Sequence, residues 1–215
     1  MEQQWYSTAK SILWAIVTQI VATFLMGVFI GLAAVSAAAS ILSGNSDVSM
    51  FALFTGGGMG IVALLFALVA LGAYVWYFLQ LSKFITLQTN KPDADAIAMV
   101  RNSVIVGFVG LICSFIPVVG TIICGLLNIA AAVMVLLGFN SYSKSAVLPQ
   151  VGKVGAGQLK VYAILAIVGA VLGIIPFISF LGGICNLVGL IFLIMGWNNV
   201  SKGCPAPRVA GEPYV

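Results

Sequence analysis

Hydrophobic positions along this chain form long uncharged runs rather than the alternating patterns of water-facing helices or strands. Residues 11–46, 48–82, 102–143 and 161–201 contain no charged side chain. One membrane-crossing helix needs about 20 apolar residues, so each of the last two runs accommodates two crossings. Pro117 and Pro176 lie near the middle of these runs, where a helix break is expected. The pattern predicts an all-α polytopic membrane protein with six transmembrane helices, over residues 8–42, 50–81, 94–116, 119–141, 160–175 and 181–200.

These helices are expected to form three helical hairpins. Residues 1–90 would form a first long hairpin with its linker, 91–150 a second, 151–202 a third, and 203–215 a cytoplasmic tail. Residues 43–47 have a turn composition, and residues 86–95 and the Gly-rich residues 145–159 are predicted linkers. The apolar stretch before Ala37-Ala38-Ala39 is too long for a signal peptide, so we expect the first helix to be a retained span that tilts in or projects from the bilayer.

The composition and charge of the chain are those of a protein surrounded by lipid. The chain is 62% hydrophobic and only 7% charged, whereas a soluble domain is roughly 25% charged. Asp47 faces one side of the predicted bundle, and every basic residue lies on the other. Because basic residues stay cytoplasmic during insertion, both termini are predicted to be cytoplasmic. The four Trp lie towards the same side, which predicts an interfacial aromatic belt. The topology-determining residues are Lys10, Lys83, Lys91, Arg101, Lys144, Lys153, Lys160, Lys202 and Arg208.

An internal repeat relates hairpins two and three. Residues 101–117 align on residues 160–176, and the alignment continues to the ends of both hairpins when one tip residue is dropped. Tandem repeats are common in transporters, but duplication of a simple hairpin without a transport role is equally open. The identities include Gly110/Gly169, Pro117/Pro176, Gly125/Gly183, Asn128/Asn186, Gly138/Gly196 and Asn140/Asn198.

The chain lacks the side chains that most membrane enzymes and pumps use. It has no His, which removes His-based acid–base catalysis and the common zinc motifs. No charged residue falls deep in a predicted span, where proton-coupled carriers place one. We therefore predict no catalytic residue, no metal site, no cofactor and no nucleic-acid partner. Cys113 and Cys124 flank the second tip and could pair in an oxidising compartment, although a buried apolar thiol is the simpler interpretation.

A few polar and small residues remain as candidates. Asn128 and Asn186 are predicted near the bilayer middle, either lining a polar path or joining helices by hydrogen bonds. Gln19 and Gln80 lie nearer the basic side. Glycines spaced four apart let helix backbones approach closely, within the chain or in a dimer. The candidate packing glycines are Gly27, Gly31, Gly56, Gly60, Gly169 and Gly173.

Residues 5–110 resemble a family of small bacterial multi-pass membrane proteins of unknown function. The resemblance rests on an early Trp with Lys10, the Gly-rich residues 56–60, the aromatic residues 74–78 ahead of Lys83, and an acidic loop before the third span. It implies a bacterial inner-membrane protein and transfers no active site.

Three functions fit the sequence. The first is a non-catalytic accessory or scaffold subunit that packs against other membrane proteins or itself, since apolar tips favour lipid or protein surroundings. The second is a passive channel or facilitator for a small solute. The third is a membrane-shaping protein whose second and third hairpins enter the bilayer without crossing it. We expect the first.

Overall fold

The computed structural model of the chain describes residues 1–43, 46–113, 116, 119–173 and 176–205. All regular structure in these ranges is helical, which confirms the predicted all-α class. Within the described ranges, six helices contain a segment long and apolar enough to cross a membrane, and the chain is a multi-pass integral membrane protein. The helices are α1 (Glu2–Ser43), α2 (Ser46–Thr86), α3 (Lys91–Cys113), α4 (Val119–Ser143), α5 (Gln150–Gly173) and α6 (Ser179–Lys202), with a 3-10 turn at Pro176–Ile178.

The largest departure from the prediction is the start of α5. Residues 145–159 were predicted to be a Gly-rich linker, but α5 begins at Gln150. The prediction was wrong because Gly152 and Gly155 in this segment serve close packing rather than flexibility. A Cβ atom on Gly155 would lie 2.7 Å from the Gly196 carbonyl oxygen and 2.7 Å from the Val200 amide nitrogen. Small residues at such contacts let helix backbones approach in a membrane.

The remaining helix ends differ less. α1 begins at Glu2 rather than at residue 8, and α2 continues to Thr86. The linker before α3 is correspondingly shorter, since α3 begins at Lys91. α1 and α2 are 42 and 41 residues long, which at 1.5 Å per residue is about twice the hydrocarbon thickness of a bilayer. The turn was predicted at residues 43–47, but α1 ends at Ser43 and α2 begins at Ser46, and only residues 44–45 of the turn lie outside the described residues. Pro117 and the tail from residue 206 lie outside them as well.

The chain divides into two compact units, Met1–Leu13 with Phe78–Val215 and Trp14–Tyr77. In the first unit α3 contacts α4, α5 contacts α6, and α4 contacts α5. Its core lies where the helices carry their basic residues. The largest fully buried side chains all belong to this unit and are Trp5, Trp197, Tyr142, Phe84, Phe139, Ile12, Leu81, Ile97, Leu159, Val100, Val200 and Asp93.

The second unit consists of the long inner parts of α1 and α2 and buries mainly small side chains. Ala22, Ala63 and Ala73 are buried there, and the Phe29 and Phe66 rings stack with centroids 5.7 Å apart. Large apolar residues such as Phe24 and Ile61 are exposed. Such a surface is suited to lipid or to another membrane protein.

Close contacts within α3–α4 recur at aligned positions of α5–α6. A Cβ on Gly138 would lie 2.7 Å from the Ala96 carbonyl oxygen, and one on Gly196 would lie 3.0 Å from the Gly155 carbonyl oxygen. Gly155 aligns with Ala96 when the predicted repeat is extended towards the start of each hairpin. This correspondence supports the predicted tandem repeat, which remains a prediction.

Candidate functional site

Asn128 and Asn186 occupy matching places on α4 and α6. Asn128 lies nine positions after the start of α4 at Val119 and fifteen positions before its end at Ser143, or about 13.5 Å and about 22.5 Å at 1.5 Å per residue. Asn186 lies at a similar depth in α6. Both residues are exposed on the surface of the chain. Each therefore presents a polar amide within a segment that lipid or protein must surround.

Intramolecular contacts satisfy these amides poorly. The Asn128 Nδ2 donates to the Cys124 Sγ at 3.3 Å, and sulfur is a weak acceptor. The Asn186 side chain makes no hydrogen bond to the part of the chain that the structure describes. Its Oδ1 lies 2.6 Å from the position of a Cβ on Gly169, and Asn128 faces Gly110 at 3.9 Å in the same way. An amide side chain therefore lies beside a glycine of the preceding helix in both hairpins.

A second glycine accompanies each of these asparagines on its own helix. Gly125 and Gly183 lie three residues before Asn128 and Asn186, hence on the same face of each helix. A Cβ on either glycine would meet nothing within 4 Å. Each helix thus presents an open glycine one turn from an exposed amide, and we call these two surfaces the Gly–Asn faces.

The other predicted candidates are more scattered. Gln19 and Gln80 are half-buried. A Cβ on Gly27, Gly31 or Gly60 would meet no described atom within 4 Å, so none of these three glycines makes a close contact with the part of the chain that the structure describes. The surroundings of Gly56 and Gly173 lie outside what the structure describes. Cys113 and Cys124 are both free thiols.

The basic residues make few specific contacts. The Lys10 Nζ donates to the Asn198 Oδ1 at 2.6 Å, which joins α1 to α6. The Arg101 guanidinium donates to the Asn102 Oδ1 at 3.0 Å and lies 6.0 Å from the centre of the Phe78 ring. Exposed charges at the helix ends include Lys83, Lys91, Lys144 and Lys202. Arg208 lies outside the described residues.

Two tryptophans of the predicted aromatic belt, Trp5 and Trp197, form a core instead, together with Tyr142. Trp5, Trp197 and Tyr142 are fully buried. The Phe84 ring lies at the centre of this cluster, 4.5 Å from Trp5, 5.7 Å from Trp197 and 6.5 Å from Tyr142. Aromatic rings that pack edge to face stabilise a core beyond their buried area. The belt prediction is therefore wrong for Trp5 and Trp197, whereas Trp14 and Trp76 are exposed.

Two indole N–H groups in this core differ in their partners. The Trp5 Nε1 donates to the Val200 carbonyl at 2.8 Å. The Trp197 Nε1 is buried without a hydrogen-bond partner among the described residues. The ring planes of Trp197 and Phe84 are inclined by 76°. Rings inclined so steeply pack edge to face, which is a favourable geometry for an aromatic pair.

A buried acid, Asp93, lies at the start of α3, within the residues 86–95 that were predicted to be a linker. Asp93 is 1% exposed and accepts a short hydrogen bond from the Ser145 hydroxyl. The Ser145 oxygen in turn accepts from the Leu148 amide at 3.2 Å. The Asn90 side chain caps α3 by accepting from the Asp93 amide at 3.1 Å. Asp93 thus fixes the α4–α5 connection to α3, a role that its position in the sequence does not reveal.

A polar groove of about 500 Å³ lies between the start of α1 and the end of α6. It was not predicted from the sequence, because its two walls are far apart along the chain. Burial raises the pKa of the Cys204 thiol, and the Glu2 carboxylate raises it further, while the N-terminal amine acts in the opposite direction. The lining residues are Glu2, Gln3, Tyr6, Ser201, Lys202 and Cys204.

No family model matches the chain, and neither a curated protein nor a solved structure matches it. The class of integral membrane protein therefore rests on the helices themselves, and the function must be argued from the surfaces described above.

Proposed function

We propose that this chain is a non-catalytic accessory subunit of the bacterial inner membrane, which binds other transmembrane helices along its two Gly–Asn faces. Both termini would be cytoplasmic, as the distribution of basic residues favours. The proposal includes membership of the small bacterial membrane-protein family that residues 5–110 resemble. The observation that carries it is the exposure of Asn128 and Asn186 within apolar spans.

An amide in hydrocarbon favours a hydrogen-bonded partner. Transfer of such a group to an apolar medium without a hydrogen bond costs about 2–7 kcal/mol, depending on the reference state. A hydrogen bond between membrane helices recovers about 0.6–1.7 kcal/mol. The open glycines Gly125 and Gly183 add room for a close backbone approach. A partner helix with small residues and an amide or hydroxyl side chain fits both features.

The test measures association with and without the two amides. The full chain, tagged at its C-terminus, is extracted gently and its native mass and bound subunits are determined. We expect Asn128→Leu with Asn186→Leu to weaken association about tenfold to a few hundredfold, from about 0.6–1.7 kcal/mol per hydrogen bond. The control carries Leu126→Ala with Leu187→Ala, because these residues are similarly exposed on the same helices and lack a polar group.

The outcomes separate the candidate functions. Stoichiometric foreign subunits that are lost in the asparagine variant, but retained in the leucine control, support the accessory role. The channel alternative would replace the accessory role if the chain forms a homo-oligomer and vesicles reconstituted with it leak a small solute. That leak would also have to depend on both asparagines. A monomer that behaves identically in both variants would contradict the proposed use of the Gly–Asn faces.

A further inference from the structure

The groove between α1 and α6 is built from both ends of the chain and is held in shape by specific contacts. The Trp5 indole donates to the Val200 carbonyl at 2.8 Å, and the Lys10 ammonium donates to Asn198 at 2.6 Å. The Ser201 hydroxyl, itself buried, donates to the Asn198 carbonyl at 2.7 Å. The Trp5 and Lys10 bonds fix the two walls relative to each other within one compact unit, and the Ser201 bond orders the α6 wall, so the groove exists before any ligand arrives.

The chemistry of the groove is unusual for this chain because it combines opposite charges. Glu2 and Lys202 both line it, together with the polar side chains of Gln3 and Tyr6. Neither Glu2 nor Lys202 forms a salt bridge within the described part of the chain, so both charges are open to a ligand. A ligand that satisfies them needs an anionic group for Lys202 and a hydrogen-bonding cation for Glu2.

The groove lies at the end of a membrane span, and this position indicates the surroundings from which a ligand would come. The sixth candidate span is Phe180–Lys202, so Lys202 marks its end and Cys204 lies just beyond it. Lipid headgroups occupy this level of a bilayer. Tyr6 is 49% exposed, and tyrosine favours the headgroup region because its ring is apolar and its hydroxyl is polar. A volume of about 500 Å³ also lies in the range of small-ligand sites.

We propose that the groove binds a zwitterionic phospholipid headgroup with a primary ammonium, its phosphate at Lys202 and its ammonium at Glu2. A primary ammonium has three N–H donors for carboxylate and amide oxygens, whereas a quaternary ammonium has none. The groove therefore distinguishes phosphatidylethanolamine from phosphatidylcholine. This site is separate from the Gly–Asn faces and does not depend on the accessory role.

Lipid retention measured by native mass spectrometry tests the site. The full chain in detergent is titrated with phosphatidylethanolamine, phosphatidylcholine and phosphatidylglycerol that share the same acyl chains. We expect phosphatidylethanolamine to bind best, and Glu2→Gln or Lys202→Gln to weaken its binding about 1.4-fold to fivefold, as expected for exposed charge pairs. Lys83→Gln is the control, since Lys83 is also exposed near a helix end but does not line the groove.

A charge exchange makes the test stricter. The double variant Glu2→Lys with Lys202→Glu keeps one charge of each sign, and we expect it to bind phosphatidylethanolamine better than either single exchange. Soluble phosphoethanolamine that competes at equal concentration would support the headgroup chemistry and assign a soluble ligand. Equal retention of all three lipids would overturn the proposal. Preference for phosphatidylglycerol that depends on Lys202 but not on Glu2 would overturn it too, in favour of a simple anion site.

Discussion

Replacing Gly155 with alanine tests how closely α5 and α6 approach. The new Cβ would lie 2.7 Å from the Gly196 oxygen and 2.7 Å from the Val200 nitrogen, and both obstacles are backbone atoms. Ordinary contacts begin at about 3.4 Å, so the helices would separate locally by about 0.7 Å to restore van der Waals distances. Overpacking of this kind costs about 1–3 kcal/mol, partly offset by about 1 kcal/mol from the better helix propensity of alanine.

A second glycine of the same helix supplies the control. Gly157 lies two residues further along α5, and a Cβ there would meet nothing within 4 Å. Gly157→Ala gains the same helix propensity without the clash, so the difference in unfolding free energy between the two variants isolates the close approach. We expect Gly155→Ala to be less stable than Gly157→Ala by about 1–3 kcal/mol.

Unfolding in mixed micelles by added SDS, followed by tryptophan fluorescence, measures this difference. Trp197 lies on α6 and is fully buried in the aromatic core, so its fluorescence changes when that core unfolds. Equal stabilisation by both alanines would refute the reasoning, because it would mean that α5 and α6 do not touch at Gly155.

Three further predictions concern the same unit of the chain. Ser145→Ala removes the hydroxyl bound to the buried Asp93 carboxylate and should destabilise the fold by about 1–3 kcal/mol. SDS unfolding measures this loss, and an unchanged midpoint would contradict the role of Ser145 in holding the α4–α5 connection to α3. Trp5→Phe should cost about 1 kcal/mol more than Trp197→Phe, because only the Trp5 N–H has a hydrogen-bond partner in the described structure; equal losses would count against this. Because the pKa of the Cys204 thiol is raised, its alkylation should reach half-maximal rate above the usual pH of about 8.5. Glu2→Gln should move that midpoint to lower pH, as peptide mapping would detect, and an upward shift would exclude Glu2 as a cause.

The uncharged runs predicted the class and the number of helices because length and polarity alone decide what can cross a bilayer. The packing of the helices was harder to predict because the same residue type, glycine or tryptophan, occurs in two different structural roles. A glycine such as Gly155 is typical of flexible linkers in soluble proteins, but in membrane proteins it is also typical of close helix contacts. Trp5 and Trp197 have the amphipathic rings of an interfacial belt, and only their neighbours show that they are core residues.

The candidate site was predicted in part. Aligned repeats identified Asn128 and Asn186, and their spacing from the helix ends placed them inside the spans. Their exposure depends on which faces of α4 and α6 are covered, which the weak alternation of polarity in these helices does not indicate. The groove was missed because its walls come from residues 2–6 and 201–204, and no local pattern links segments so distant in sequence.

The bond from Trp5 to Val200 spans 195 positions, and this separation constrains the timing of biogenesis. At about 5–20 residues per second, a ribosome needs about 10–40 s to add the residues between them. For most of that interval the first helix is already made while its Trp5 has no aromatic core to join, because Trp197 and Val200 are synthesised only at the end of the interval. Until α6 is made, the N-terminal segment stays at the membrane surface or is bound by the insertion machinery. A chain released before α6 would display that unsatisfied tryptophan to the proteases of the cell.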